Sequence, residues 1–370
     1  MNSELQSWSH LADFFERSKI QSVLLVTGTN LYTASGADKK LVHLLEGKRV
    51  RKIDGLQINP QADEVVGLLQ GLQTDPPYDA ILAIGGGSVI DVAKLLKAFW
   101  HHPELLLPGL HHSDSLHPAN IPLIAIPTTA GSGSEATHFA VVYHNKEKHS
   151  IAHPDLLPDL AIIDSELLHS LPQHIAAASG MDALCQGIES YWSIHSTEAS
   201  RSLAKEAIQL AWSSLKPAVL DKDPDALEQL ARASHLAGQA INLTKTTAPH
   251  AVSYALTSYF GLQHGHAVGL LTPAFLKFNA EVTDADCLDP RGAAWVKQSI
   301  HEIVDLLGYQ TVAQAANGIT QLIHDLGLET DFSKLGIQSE SDIQLILDNG
   351  FNPGRVNNNP RKVTKEALGE

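Results

Sequence analysis

The sequence predicts an α/β domain on a parallel, Rossmann-like sheet, followed by an all-α domain. Three observations predict it. All-apolar runs such as Ala80-Ile-Leu-Ala-Ile84 and Pro122-Leu-Ile-Ala-Ile126 have the length and composition of parallel strands buried on both faces. Helical stretches alternate with those runs, which is the doubly wound pattern. After Asp164 the strand signals stop and helix formers dominate. The boundary is placed at residue 165, giving domains over 1–165 and 166–370, in keeping with a 370-residue chain at about 150 residues per domain.

Taken in order, Val23-Leu24-Leu25-Val26 reads as a strand that ends at Gly28, and Arg49 to Ile53 as a weaker second one. Gln61 to Leu72 has helical spacing, with Val65, Val66, Leu68, Leu69 and Leu72 on one side. Ser88 to Trp100 follows the Ala80 strand as a helix, and Phe139 to Tyr143 and Ala161 to Ile163 add two more strands. The second half reads as helices over Ala176 to Ile194, Thr197 to Leu215, Asp225 to Leu243 and Trp295 to Leu307. Gly354 to Lys362, GRVNNNPRK, is a polar loop near the end.

Twenty-six Lys and Arg against 41 Asp and Glu give 26 − 41 = −15. So acidic a chain lacks the basic stripe that phosphate backbones and acidic membranes attract, and nucleic acid is excluded as a partner. Cys185 and Cys287 form no CxxC, which excludes a disulfide scaffold or zinc finger and fits a reducing cytoplasm. The start, MNSELQSWSHLADFFERSK, is too polar for a signal peptide, and no uninterrupted apolar run reaches the ~18 residues that would span a bilayer. The 20 His leave metal binding, proton transfer and no role at all open.

Two loops point to a nucleotide. Gly85, Gly86, Gly87, Ser88 and Asp91 follow a buried strand and open a helix, where glycines admit a close ligand and the helix N-terminus favours an anion. The run is neither G-x-G-x-x-G nor a P-loop. It reads as a pyrophosphate cradle or as a tight turn with Ser88 as N-cap, and three consecutive glycines exceed what a turn needs. After the next strand, Thr128, Thr129 and Ser132 in PTTAGSGSE suit close approach to a nucleotide, or form a flexible loop capped by Ser134. Loops at the carboxyl ends of two strands of one sheet form the crevice where such sheets bind ligands.

In the helical half, Asp182, Gln186 and Glu189 stand at i, i+4 and i+7, on one helix face. That pattern alone is usually a solvated stripe. His250 lies near a helix start, and His264 and His266 in a glycine-containing loop. One Asp and two His suit a divalent metal. His101, His102, His111, His112, His117, His144 and His149 show how freely the chain scatters histidine.

The order GGGSVIDVAK, PTTAGSGSEAT, GMDAL, then His250 and His264 resembles the iron-containing (group III) alcohol dehydrogenases, from Val23 to about Asn279. The resemblance implies a dehydroquinate synthase-like architecture, NAD(P)H as hydride donor, a catalytic Fe²⁺ or Zn²⁺ in the cleft between the domains, and a homodimer. The family's ligands are an Asp and a His four residues apart, then two His fourteen apart; Asp182, His250 and His264 match. Gln186 stands where the second ligand would be a His, and a neutral amide oxygen is the weaker donor. Tyr254 stands where many relatives carry a further His, so the proton is expected through Tyr254, His266 or water. The metal would polarise the aldehyde oxygen while hydride passes to its carbon.

Within the family, the stretch Glu189 to Ser193, Asn242-Leu-Thr-Lys245-Thr-Thr-Ala-Pro-His250, and the tail Gly354 to Arg361 look most like the phosphonoacetaldehyde reductase branch, which makes 2-hydroxyethylphosphonate. Lys245 among threonines, and Arg355, are then candidates for holding a phosphonate. Lys245 alternatively sits solvated at a helix end. Relatives preferring NAD often carry an acidic residue just after the first strand; Gly28 removes that repulsion and admits NADP(H), or is merely a turn glycine. Two rival readings remain: a dehydroquinate synthase-like lyase, and a nucleotide-binding protein that has lost metal catalysis at Gln186.

Overall fold

The computed structural model describes residues 7–110, 116–351 and 353–369. His111, His112 and the first six residues of the polar N-terminus lie outside the described residues. The chain divides into two compact units, one ending at Leu171 and the other beginning at Pro172.

The first unit runs α1 (Trp8–Arg17), β1 (Ser22–Thr27), α2 (Leu31–Ala34), α3 (Ala37–Leu45), β2 (Arg49–Ile53), α4 (Ala62–Leu72), β3 (Ala80–Gly85), α5 (Gly87–Phe99), α6 (Leu106–Gly109), β4 (Leu123–Pro127), β5 (Phe139–His144), β6 (Glu147–Ala152) and β7 (Leu160–Ala161). Five strands form one parallel sheet in the order β2-β1-β3-β4-β7. β1, β3 and β4 are buried along their whole length, as their unbroken apolar runs require. β2, whose residues are mostly charged, is the partly exposed edge. Successive residues feed opposite layers. Leu24, Val26, Ile81 and Ala83 pack with Val65, Leu69 and Ile90 of α4 and α5. Val23, Leu25, Leu82 and Ile84 pack with Leu11, Phe15 and Leu41 of α1 and α3.

One expectation is corrected. Phe139 to Tyr143 is a strand, but it does not join the parallel sheet: β5 pairs antiparallel with β6 in a separate hairpin. β6, Glu147-Lys-His-Ser-Ile-Ala152, is polar on most positions and so carries no buried-strand signature.

The second unit is built from α7 (Gln173–Trp192), α8 (Glu198–Leu220), α9 (Pro224–Thr244), α10 (Ala248–Phe260), α11 (His264–Ala280), α12 (Ala293–Leu306), α13 (Val312–Asp325), α14 (Glu340–Asn349), α15 (Pro353–Val356) and α16 (Lys365–Gly369). α7 is its axis, packed by α8, α9, α11 and α12. Nearly every residue from Ala176 to Trp192 is buried, the mark of a helix covered on all sides. Among the described residues no helix is long and apolar enough to cross a membrane.

Candidate active site

In the first unit, the strand order turns back at β1, which lies between β2 and β3. An open α/β sheet binds ligands at such a switch point, outside the carboxyl ends of its strands. Gly28 follows β1 there, Gly86 caps α5 just after β3, and Thr128 follows β4. The glycine loop and the Thr128–Ser132 loop touch. A Cβ on Gly87 would lie 2.5 Å from Ser132 Oγ, one on Gly86 3.3 Å from Thr129 Cγ2, and one on Gly85 2.6 Å from Val89 Cγ2. Packing therefore demands Gly85 and Gly87 whatever else the loop holds. The hydroxyls of Thr27 and Thr128 are fully buried at the same end of the sheet, and no hydrogen-bond partner faces them among the described residues. Gly28 keeps φ outside the left-handed region, and a Cβ there would meet only Val89 Cγ2, at 3.8 Å. No turn geometry forces this glycine.

Two expectations for this loop are corrected. Ser88 is not the N-cap of α5, a place Gly86 takes; its Oγ accepts from the Asn59 N–H at 3.2 Å. Asp91 does not face a ligand. It is buried one turn into α5, its Oδ1 accepting from Ser134 Oγ at 2.5 Å and its Oδ2 from the Val141 N–H at 3.0 Å. Beside it, the buried Lys94 donates to the carbonyls of Ser134 (2.6 Å), Thr137 (2.8 Å) and Phe139 (2.8 Å). Burial pulls Lys94 down to about 8, against the opposing charges of Asp91 and Glu135. These two α5 residues pin the second loop and the hairpin.

In the second unit, Asp182 is 6%, Gln186 3% and Glu189 0% exposed, so the stripe on α7 is not a solvated face. Ligand atoms of Asp182, His250 and His264 lie within 4.8 Å of one another, the one such group of His, Cys, Asp and Glu among the described residues. His250 Nε2 is 3.2 Å from Asp182 Oδ1, and the rings of His250 and His264 meet edge to face at 5.2 Å. Gln186 lies one turn beyond Asp182 on α7.

Glu189, given no role of its own by the sequence, orients His250. Its Oε1 takes Nδ1 of His250, and its Oε2 accepts from the Thr247 N–H at 2.6 Å and Thr247 Oγ1 at 2.8 Å. Trp192 Nε1 in turn donates to Thr247 Oγ1 at 2.9 Å. A carboxylate on Nδ1 holds a hydrogen there and turns Nε2, the atom facing Asp182, toward the place a metal would take, the arrangement that backs metal-ligating histidines. Burial pulls the His250 pKa down while Glu189 and Asp182 push it up, the balance reaching about 10.

His264 and His266 are not in a loop. They open α11, and the glycine between them is a packing residue: a Cβ on Gly265 would lie 2.0 Å from the Ala178 carbonyl oxygen and 2.7 Å from Asp182 Cβ. Only glycine lets α11 press against α7 where Asp182 stands. Two residues apart on a helix, His264 and His266 point some way around it from each other. The Nε2 of His266 bonds the Glu329 carbonyl at 2.7 Å, and His266 stands outside the metal-type cluster. Tyr254 is better placed, half-buried with its ring stacked on that of His264 at 5.9 Å.

Lys245 is exposed and follows α9 with φ 59° and ψ 174°. That conformation is rare outside glycine and costs roughly 1–3 kcal/mol, so its neighbours must hold it. Arg355 is half-buried on α15, which packs against α10.

The sequence model of the family described as iron-containing alcohol dehydrogenase matches residues 2–165, and that of the Fe-containing alcohol dehydrogenase family, C-terminal, matches residues 176–370. Phosphonoacetaldehyde reductase of Streptomyces viridochromogenes is 36% identical over 301 residues, covering 79% of this chain and 74% of its own. NADPH-dependent butanol dehydrogenase of Clostridium saccharobutylicum is 27% identical over 362 residues, covering 94% and 89%. Sulfoacetaldehyde reductase from Bifidobacterium kashiwanohense, solved in complex with NAD+, superposes with a TM-score of 0.86 at 27% identity, over 99% of this chain and 94% of its own.

Proposed function

The chain belongs to the iron-containing alcohol dehydrogenase family, and from that membership we propose that it reduces a small aldehyde carrying a phosphonate, taking phosphonoacetaldehyde to 2-hydroxyethylphosphonate with NADPH or NADH. The observation that carries the reading is the group of buried Asp182 and His250 with half-buried His264, backed by Glu189. One carboxylate and two imidazoles fit a catalytic Fe²⁺ or Zn²⁺, and these three would hold it, with Gln186 as a weaker fourth donor. When bound, such an ion polarises a carbonyl oxygen and the nicotinamide supplies hydride.

The protein's own residues do the rest. Gly86, Gly87, Thr129 and Ser132 would line the dinucleotide's phosphates at the start of α5, with Thr128 buried beneath them. Gly28 leaves room for a 2′-phosphate, in favour of NADP(H). Tyr254, stacked on His264, would deliver the proton through its hydroxyl. Lys245 and Arg355 would bind the phosphonate. The free thiols of Cys185 and Cys287 fit a cytoplasmic enzyme, and a homodimer is proposed with it.

A lyase is not favoured, because the similar proteins are named dehydrogenases and reductases. The test is an aldehyde panel including phosphonoacetaldehyde, assayed with NADH and NADPH under added Fe²⁺, Zn²⁺ and Mn²⁺. Phosphonoacetaldehyde should have the highest kcat/KM and consume reduced cofactor stoichiometrically. Equal use of neutral aldehydes would reject the phosphonate, and metal-bound protein without any aldehyde reduction would leave only nucleotide binding.

A further inference from the structure

Asn358 stands in the polar tail, far in sequence from every residue of the metal group, yet it is buried at 6% exposure. Its Nδ2 donates to the Thr246 carbonyl at 2.9 Å, and its Oδ1 faces His195 Nε2 at 3.1 Å. Because Nδ2 is committed to a carbonyl, the atom facing His195 is an acceptor, so His195 Nε2 carries the hydrogen. The Asn358 carbonyl accepts from the Ile194 N–H at 3.1 Å, and its own N–H donates to the Arg355 carbonyl at 3.0 Å. Asn358 thereby joins three segments: its side chain ties the turn after α7 and the α9–α10 connection to the α15 turn that carries Arg355, in which its own backbone is bonded.

The α9–α10 connection is where Lys245 holds its left-handed backbone. Its supports are identifiable. The Lys245 N–H donates to the Ile241 carbonyl at 2.8 Å, and Thr244 Oγ1 donates to the Lys245 carbonyl at 3.0 Å. On the other side, Asn358 takes the Thr246 carbonyl and Glu189 takes the Thr247 N–H. The Glu189 bond serves the His250 end of the connection, and the Asn358 bond serves the Lys245 end. Arg355, three residues before Asn358, is tied into the same turn. So the two cations, 110 positions apart in the chain, share one brace.

We propose that Asn358 is a positioning residue for substrate specificity, clamping the Lys245 connection to the Arg355 turn so that the two cations together receive the anionic group of the aldehyde. The proposal rests on the reading that the enzyme prefers a phosphonate-bearing aldehyde. It assigns Asn358 no contact with the reacting carbonyl. Its loss acts on substrate charge recognition and not on hydride transfer.

The experiment compares kcat/KM for phosphonoacetaldehyde and for propanal, a neutral aldehyde without the charged group, in the metal-loaded enzyme and in Asn358→Ala and Asn358→Asp. Asn358→Asp keeps an acceptor toward His195 but has no N–H for Thr246. In both variants the ratio of the two kcat/KM values should fall by about tenfold, mainly through KM for the phosphonate, with kcat on propanal retained. His195→Ala should move the ratio in the same direction by less, and His195→Gln, which can still donate, should restore it. If Asn358→Ala does not fold, Asn358→Asp and the His195 pair decide the matter. Equal losses on both aldehydes would overturn the positioning role. A wild-type enzyme without preference for the phosphonate would instead overturn the reading beneath it.

Discussion

The carboxylate of Glu189 joins His250 to Thr247: one oxygen holds Nδ1 of the imidazole and the other the N–H and hydroxyl of the residue that precedes α10. The same carboxylate that holds the His250 ring therefore also fixes where α10 begins. Replacing Glu189 by Gln should leave the fold in place and lower affinity for Fe²⁺ or Zn²⁺ by about 10- to 100-fold. Competition with a chelator of known affinity measures this. Unchanged affinity would mean that His250 does not depend on its carboxylate.

Gly265 is the second support. Gly265→Ala forces a Cβ against the Ala178 carbonyl and Asp182, so α11 must back away from α7. Such overpacking costs about 1–3 kcal/mol, and it should dislodge His264 from the group as well. Chemical denaturation and metal content are the two readouts. Full metal occupancy in a destabilised variant would separate packing from the site.

Cofactor preference should turn on Gly28. A side chain fits there with only Val89 nearby, so Gly28→Asp should fold normally. A carboxylate beside the ribose repels a 2′-phosphate, and the ratio of kcat/KM for NADPH over NADH should fall roughly tenfold or more. A ratio that does not move would place the ribose elsewhere.

Acid stability should draw on Asp164. Its Oδ2 accepts from Trp8 Nε1 at 2.6 Å and from Lys40 Nζ at 2.5 Å. Burial raises its pKa, but the bonds from Lys40, Trp8 and the Glu166 N–H outweigh that and leave it lowered. A depressed folded pKa means that the unfolded chain binds its proton first as pH falls. The stabilisation is therefore present above the unfolded value of about 3.9 and lost as pH drops through the lower folded one. Denaturation midpoints followed through the acid range should fall less steeply for Asp164→Asn than for the wild type. Parallel curves would remove Asp164 from the acid limb.

The sheet was legible because its inner strands are buried on both faces and must read as apolar runs, as Ala80 to Ile84 does. The β5–β6 hairpin was only half visible, since Glu147 to Ala152 is short and mostly polar. Spacing alone left Asp182, His250 and His264 a weak signal; their match to the ligand pattern of the iron-containing alcohol dehydrogenases picked them out, and the structure brings them together. Their supports were hidden for physical reasons. Nothing local in the sequence joins Glu189 to His250, or Asn358 to Thr246; those contacts exist only after the helices pack. Gly265 looked like a loop residue because glycine disfavours helices, whereas close approach of two helices is what it serves. Asp91 looked like a ligand contact because it lies just inside a glycine-rich turn, yet its place one turn into α5 aims it at Ser134 and Val141.

If Asp182, His250 and His264 hold the metal on which reduction depends, losing one of them should spare nucleotide binding and end turnover. The most direct test is His264→Ala, measured for NADPH binding by fluorescence titration and for turnover of phosphonoacetaldehyde in the presence of Fe²⁺ or Zn²⁺. This variant should bind the nucleotide like the wild type and show no measurable turnover. Turnover at the wild-type rate in this variant, or in metal-stripped wild-type enzyme, would contradict it.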